Sequence, residues 1–131
     1  MRILIVEDEA SSRHLLTSFL KPYGDCTTTE DGLEAVQAFT NALTKGNPFS
    51  LVCLDIKLPS MDGMEVLKKI RAMEEEMGIL VGDGVKIIMT TALNDHKKIM
   101  EAFNAQAEVY LQKPINKQKL IDHMKKLNLI K

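Results

Sequence analysis

Glu7, Asp8, Asp55, Thr91 and Lys113 are the side chains whose types could act together chemically. Three carboxylates gathered at one point repel one another, so one must hold a proton or a cation must sit among them. Oxygen ligands with no paired His or Cys suit Mg²⁺, which keeps several waters and takes one or two carboxylates together with phosphate oxygens. With such a cation in place Asp55 can attack phosphorus, while the Lys113 ammonium and the Thr91 hydroxyl receive charge on the equatorial oxygens. The product is an aspartyl phosphate. Each residue also has a plainer reading: Glu7 and Asp8 can cap a helix, Asp55 can be a helix-capping or loop aspartate, Thr91 can be a helix-entry hydroxyl, and Lys113 can be a solvated surface lysine.

For these residues to meet, the chain must deliver them to one edge. Leu51 to Leu54 is a short apolar run that reads as a buried parallel strand ending in Asp55, and Pro59 with Asp62-Gly63 marks a rigid turn behind it. A helix follows from about Met64 to Met77, with Val66, Leu67, Ile70 and Met73 inward and Lys68, Lys69, Arg71 and Glu74 to Glu76 outward. Arg2 to Val6 is a first strand ending at Glu7-Asp8-Glu9. Ser11 or Ser12 is expected to cap the next helix, whose Leu15, Leu16, Phe19 and Leu20 share a face. Cys26 to Thr29 is a second strand, and Asp31 to Glu34 forms a helix-capping pattern. Val85 to Thr90 is the fourth strand. The polar loop from Thr91 to Asp95 is expected to cap a helix with Ile99, Met100 and Phe103 on one side. Glu108 to Gln112 is the fifth strand, and Asn116 can cap a last helix that buries Leu120, Ile121, Met124 and Leu127. In the connector from Gly78 to Gly84, the triplet Ile79-Leu80-Val81 must pack somewhere or be exposed.

Strands alternating with helices imply an α/β fold, a parallel sheet covered on both faces, with every strand C-terminus along one edge. The 131 residues, 1–131, are expected to form one domain.

The apolar strand ending in Asp55, with Pro59 four residues on and then Met61-Asp62-Gly63, resembles the phosphoacceptor loop of two-component response-regulator receiver domains, the class that includes the chemotaxis regulators. The resemblance extends over nearly the whole chain and implies a flavodoxin-like, doubly wound sheet in the order 2-1-3-4-5 with five helices. It implies Asp55 as phosphoacceptor, Asp8 and Asp55 as direct Mg²⁺ ligands, Glu7 as a ligand through water, and the Lys57 backbone carbonyl as the remaining protein ligand. Thr91 would be the switch hydroxyl, Lys113 the phosphoryl-binding lysine in a cis Lys113–Pro114 unit, and Tyr110 the switch aromatic. A stand-alone regulator of this kind is not an enzyme in the ordinary sense, although it assists its own phosphorylation and dephosphorylation. It would take its phosphoryl group from a sensor histidine kinase or a histidine phosphotransfer protein. It would then signal to a downstream protein, or pass the group on. The face made by the fourth helix, fifth strand and fifth helix carries Lys97, Lys98, Glu101, Gln112, Lys117 and Lys119, so an acidic partner surface is expected there. The sequence departs from the family pattern at Gln106, where a Gly commonly precedes the fifth strand, at Leu58 in place of Met, and at Ile115 in place of Phe.

Composition narrows the alternatives. Lys and Arg total 17 against 18 for Asp and Glu, with no like-charge block, so direct nucleic-acid binding is not expected. No segment suits a signal peptide or membrane insertion, and Cys26 and Cys53 lack metal-like spacing, which favours a reduced, cytoplasmic setting. A flavin-binding flavodoxin would need amide and hydroxyl donors where Glu7-Asp8-Glu9 would repel phosphate. An aspartate-nucleophile phosphatase of the haloacid dehalogenase type would need a second Asp at the position of Lys57. A phosphorylation-independent, receiver-like binding scaffold is the remaining alternative.

Overall fold

In a computed structural model the described residues, 1–92 and 96–131, form a five-stranded parallel sheet with five helices. In chain order these are β1 (Arg2–Val6), α1 (Ala10–Leu20), β2 (Asp25–Thr29), α2 (Gly32–Thr44), β3 (Leu51–Asp55), α3 (Gly63–Glu76), β4 (Lys86–Thr91), α4 (His96–Asn104), β5 (Val109–Gln112) and α5 (Lys117–Lys126). The strands lie in the order β2-β1-β3-β4-β5, as expected. Right-handed crossovers then put the ends of β1, β3, β4 and β5 at one rim. The expected cap of α4 falls partly on residues 93–95, outside the described residues.

The central strands are apolar on both faces because both faces are covered. Leu4, Val6, Val52, Leu54, Ile87 and Met89 pack with residues of α2 and α3. Ile3, Ile5, Leu51, Cys53, Ile88 and Leu111 pack with α1 and α5 on the other side. This alternation decides the site, since successive strand residues point to opposite faces. Glu7 continues the parity of Ile3 and Ile5, Asp55 that of Leu51 and Cys53, and Lys113 that of Val109 and Leu111. The ladder itself carries past the strand ends, with Glu7 N donating to Thr29 O at 3.0 Å and Lys113 N to Thr91 O at 2.8 Å.

Helix ends follow local chemistry. Asp31, Asp62 and Asn116 accept from the amides of Glu34, Glu65 and Lys119 at 2.8, 3.0 and 3.0 Å, each satisfying an orphan first-turn donor. Four helices close with a left-handed residue, at Gly46, Gly78, Gln106 and Asn128. At Gln106 the pattern is complete: its amide bonds Phe103 O at 3.0 Å and the next, Ala107 N, bonds Ala102 O at 2.9 Å. Gln106 thus holds the geometry for which the family commonly uses Gly, at a left-handed cost of about 1 kcal/mol.

Several expectations are corrected. Neither Ser11 nor Ser12 caps α1. Both lie inside the helix and donate to the Glu9 carboxylate at 2.8 and 3.1 Å, and Glu9 is the cap residue. Leu15 is exposed, because α1 buries only the narrower stripe of Leu16 and Leu20. Met100 and Phe103 are also exposed, and among the described side chains of α4 the buried one is Ala102. Glu74 is buried rather than outward, for the connector folds back so closely that a Cβ at Gly84 would overlap the Glu74 carboxylate. Leu80 and Val81 of that connector are exposed, at 72% and 80%. No helix of the described residues is long and apolar enough to cross a membrane.

Candidate phosphoryl and metal site

Glu7, Asp55 and Lys113 meet at the rim. Lys113 Nζ donates to Asp55 Oδ2 at 2.9 Å and also to Glu7 Oε1. Glu7 is fully buried and Asp55 nearly so, whereas Asp8 is exposed. Ligand oxygens of Glu7, Asp8 and Asp55 all lie within 4.8 Å of one another. Glu7 Oε2 is buried without a hydrogen-bond partner. An orphaned carboxylate oxygen beside two more carboxylates is costly unless a proton or cation completes it. The all-oxygen donor set therefore fits a hard divalent ion such as Mg²⁺.

The loop behind Asp55 is held at several points. Lys57 N donates to Asp55 Oδ1 at 3.3 Å, and Gly63 N to Ile56 O at 2.7 Å. Pro59 O accepts from Met61 N at 2.8 Å and from Gly32 N at 3.3 Å, which ties the loop to the start of α2. At Gly63 any Cβ would overlap the Asp55 carbonyl oxygen, so glycine is needed there for close approach of the backbone. The Lys113–Pro114 bond is cis, as the resemblance implied.

Thr91 is buried at the end of β4 with the parity of Ile87 and Met89, on the sheet face opposite Asp55. Tyr110 is half-buried on β5 with the same parity and packs against the α2–α3 core. The Lys57 side chain is exposed. Two residues escaped the sequence reading. Thr90 is the register partner of Asp55, fully buried, and its hydroxyl has no partner. Arg13 reaches back from α1 to the Glu7 and Asp8 carbonyls. A Thr-Thr pair at a strand end was the available signal for Thr90; nothing in the spacing marked Arg13.

Burial is the first cause that raises the Glu7 carboxyl, from its usual 4.5 to about 7; Asp55 adds to it and Lys113 opposes it. Burial also works against the Lys113 ammonium, but Glu7 and Asp55 outweigh it and hold that group above its usual value. Folded Glu7 therefore binds its proton more tightly than unfolded Glu7. Its contribution to stability is fully present below about 4.5 and is lost as pH rises through about 7. In metal-free protein, the melting temperature of wild type relative to Glu7→Gln should fall by several degrees across that window. A difference that stays flat from pH 4.5 to 8 would contradict the assignment.

This parallel sheet in the order β2-β1-β3-β4-β5, covered by helices on both faces and carrying an acidic cluster and a lysine at its rim, has a flavodoxin-like architecture. The family model described as the response regulator receiver domain matches residues 3–125, and the chain belongs to that family. Among relatives, the regulatory protein VanRB of Enterococcus faecalis is 33% identical over 97% of this chain and 52% of its own length. The chain thus spans about half of that protein. Sporulation initiation phosphotransferase F of Bacillus subtilis is 32% identical over 95% of this chain and 91% of its own. Among solved structures, a chain of the CheX–CheY–BeF3–Mg²⁺ complex from Borrelia burgdorferi superposes with a TM-score of 0.82 at 25% identity, covering 100% of this chain and 90% of the other.

Proposed function

We propose that this receiver accepts a phosphoryl group on Asp55 in a Mg²⁺-dependent reaction, from a sensor histidine kinase or histidine phosphotransfer protein, and signals the change to a protein partner in the cytoplasm. The observation that carries the reading is Lys113 bridging Glu7 and Asp55 beside an orphaned carboxylate oxygen. Asp8 and Asp55 would hold the cation with the Lys57 carbonyl, and Glu7 would act through water. When bound, the cation neutralises the carboxylates and the incoming phosphoryl oxygens.

An Asp55 carboxylate oxygen forms the new O–P bond as the donor P–N bond breaks, and the leaving imidazole keeps the electron pair. Lys113 stays protonated beside the reacting oxygens, held so by the two acids, and neutralises charge on the phosphoryl group. Thr91 would turn its hydroxyl to that group and Tyr110 would follow into the space left, biasing α4, β5 and α5. A cleft of about 560 Å³ lined by Ile99, Tyr110, Gln112, Asn116 and Lys119 adjoins Tyr110 on this face. Its two lysines, Lys119 and Lys126, against one acid, Asp122, support a partner with an acidic surface. On this reading the chain is a signalling acceptor that assists its own turnover, rather than an enzyme acting on other substrates.

Incubation with acetyl phosphate or phosphoramidate should add one phosphoryl group in Mg²⁺ and none in EDTA, read by intact mass. Mg²⁺ should also raise the melting temperature, and Asp8→Asn should blunt that rise. An unchanged mass with Mg²⁺ present would overturn the reading.

A further inference from the structure

We infer that Arg13 is a positioning residue for the acidic loop, holding the main chain of Glu7 and Asp8 so that their carboxylates face Asp55. The inference rests on the cation-dependent reading above. The Glu7 amide makes the last ladder bond of β1, and α1 begins only at Ala10, so the carbonyls of Glu7 and Asp8 belong to neither element. Arg13 Nη1 donates to both, at 3.1 and 3.4 Å. Its other terminal nitrogen, Nη2, lies 3.2 Å from Glu30 Oε1, just past the end of β2. The Arg13 side chain is 15% exposed against 65% for Glu30, so the guanidinium is seated in the protein and tethered from outside.

This contact matters most for Asp8. Among the described residues no hydrogen bond or ion pair ties its carboxylate, which lies at the exposed side of the cluster. Its direction is therefore set by its main chain, and Arg13 holds that main chain. A planar fork can serve two carbonyls and a carboxylate at once, which a lysine ammonium on a flexible stem does poorly.

Two effects of Arg13 on a cation oppose each other in sign. Its positive charge alone would weaken divalent-ion binding, so its removal would tighten the site. Positioning alone predicts the reverse, since losing the partners that orient ligands costs about tenfold or more in affinity. Titration of metal-free wild type, Arg13→Ala, Arg13→Lys and Glu30→Gln with Mg²⁺ by calorimetry, and with Mn²⁺ by electron paramagnetic resonance, separates them. Arg13→Ala should raise Kd roughly tenfold, with Arg13→Lys and Glu30→Gln between it and wild type. Phosphoryl uptake from acetyl phosphate by Arg13→Ala should recover toward the wild-type maximum at saturating Mg²⁺, a shift in the Mg²⁺ requirement and not in the step. Melting in EDTA reports folding, and should Arg13→Ala be unfolded, a raised Kd in Arg13→Lys supports the inference and an unchanged one overturns it. An equal or lower Kd in folded Arg13→Ala overturns positioning and leaves the cation-dependent reading standing. No Mg²⁺ binding by wild type overturns both.

Discussion

Asp55→Asn should take up no phosphoryl group from acetyl phosphate and Mg²⁺ under conditions that modify the wild type fully. The substitution keeps the shape of the side chain and an oxygen to accept from Lys57 N, but removes the anionic nucleophile. No neighbour replaces it. Glu7 is fully buried and engaged by Lys113, and Asp8 is exposed, with no bond to Lys113 among the described contacts. The variant should remain folded: it gives up the ion pair with Lys113, which Glu7 still engages, but it also removes one of three mutually repelling carboxylates, so its melting temperature in EDTA should not fall. Intact mass decides the matter: a gain in Asp55→Asn at the wild-type rate would move the acceptor elsewhere. The scaffold alternative makes the opposite demand, that a partner bind Asp55→Asn as it binds the phosphorylated wild type.

The largest loss of stability is expected far from that site, at Arg71. Its Nη1 donates to Glu74 Oε1 at 2.7 Å and Val85 O at 2.8 Å, and its Nη2 to Glu108 Oε1 at 2.8 Å and Gln106 O at 2.7 Å. The two acids are committed to the main chain as well, Glu74 to Val85 N at 2.7 Å and Glu108 to Ile87 N at 3.1 Å. One guanidinium, 12% exposed, thus joins α3, the start of β4, the end of α4 and the approach to β5. Arg71→Met would leave Glu74 and Glu108 without their ion-pair partner, at a cost of about 3–5 kcal/mol. The lower end applies because Glu108 is 21% exposed. That corresponds to a melting temperature lower by roughly 10 °C. Burial already raises the Glu108 carboxyl, against the pull of Arg71, so without Arg71 it should rise further. The defect should therefore shrink as the pH is lowered toward 5, where a proton can replace the missing charge. A loss under 1 kcal/mol in urea unfolding would show the network to be dispensable.

Arg71 and Glu74 also mark where one-dimensional reading stops. Helical periodicity assigned both to the outer face of α3, and periodicity sees only the helix itself. What buries Glu74 is the return of the connector at Gly84, some ten residues later, and the carbonyls that Arg71 meets come from segments that only the packed sheet brings together. Met100 and Phe103 show the same limit in reverse: an apolar stripe on α4 is exposed because nothing among the described residues folds over it. By contrast the meeting of Glu7, Asp55 and Lys113 was legible, since each is a strand-end residue and strand alternation gives all three the same face, whereas the sheet order came from the family resemblance and not from the residues' periodicity. The caps at Asp31 and Asn116 were legible too, being contacts between residues three apart. Sequence by itself determined what is local or repeats with the period of a strand: the elements, their alternation, and the acids and lysine at their ends. Tertiary structure alone decided what depends on the distance between non-adjacent segments. That includes which carboxylate lost its water, how far Glu7 is raised, that Thr90 lies buried beside Asp55, and that a helix arginine reaches back to hold the loop carrying Asp8.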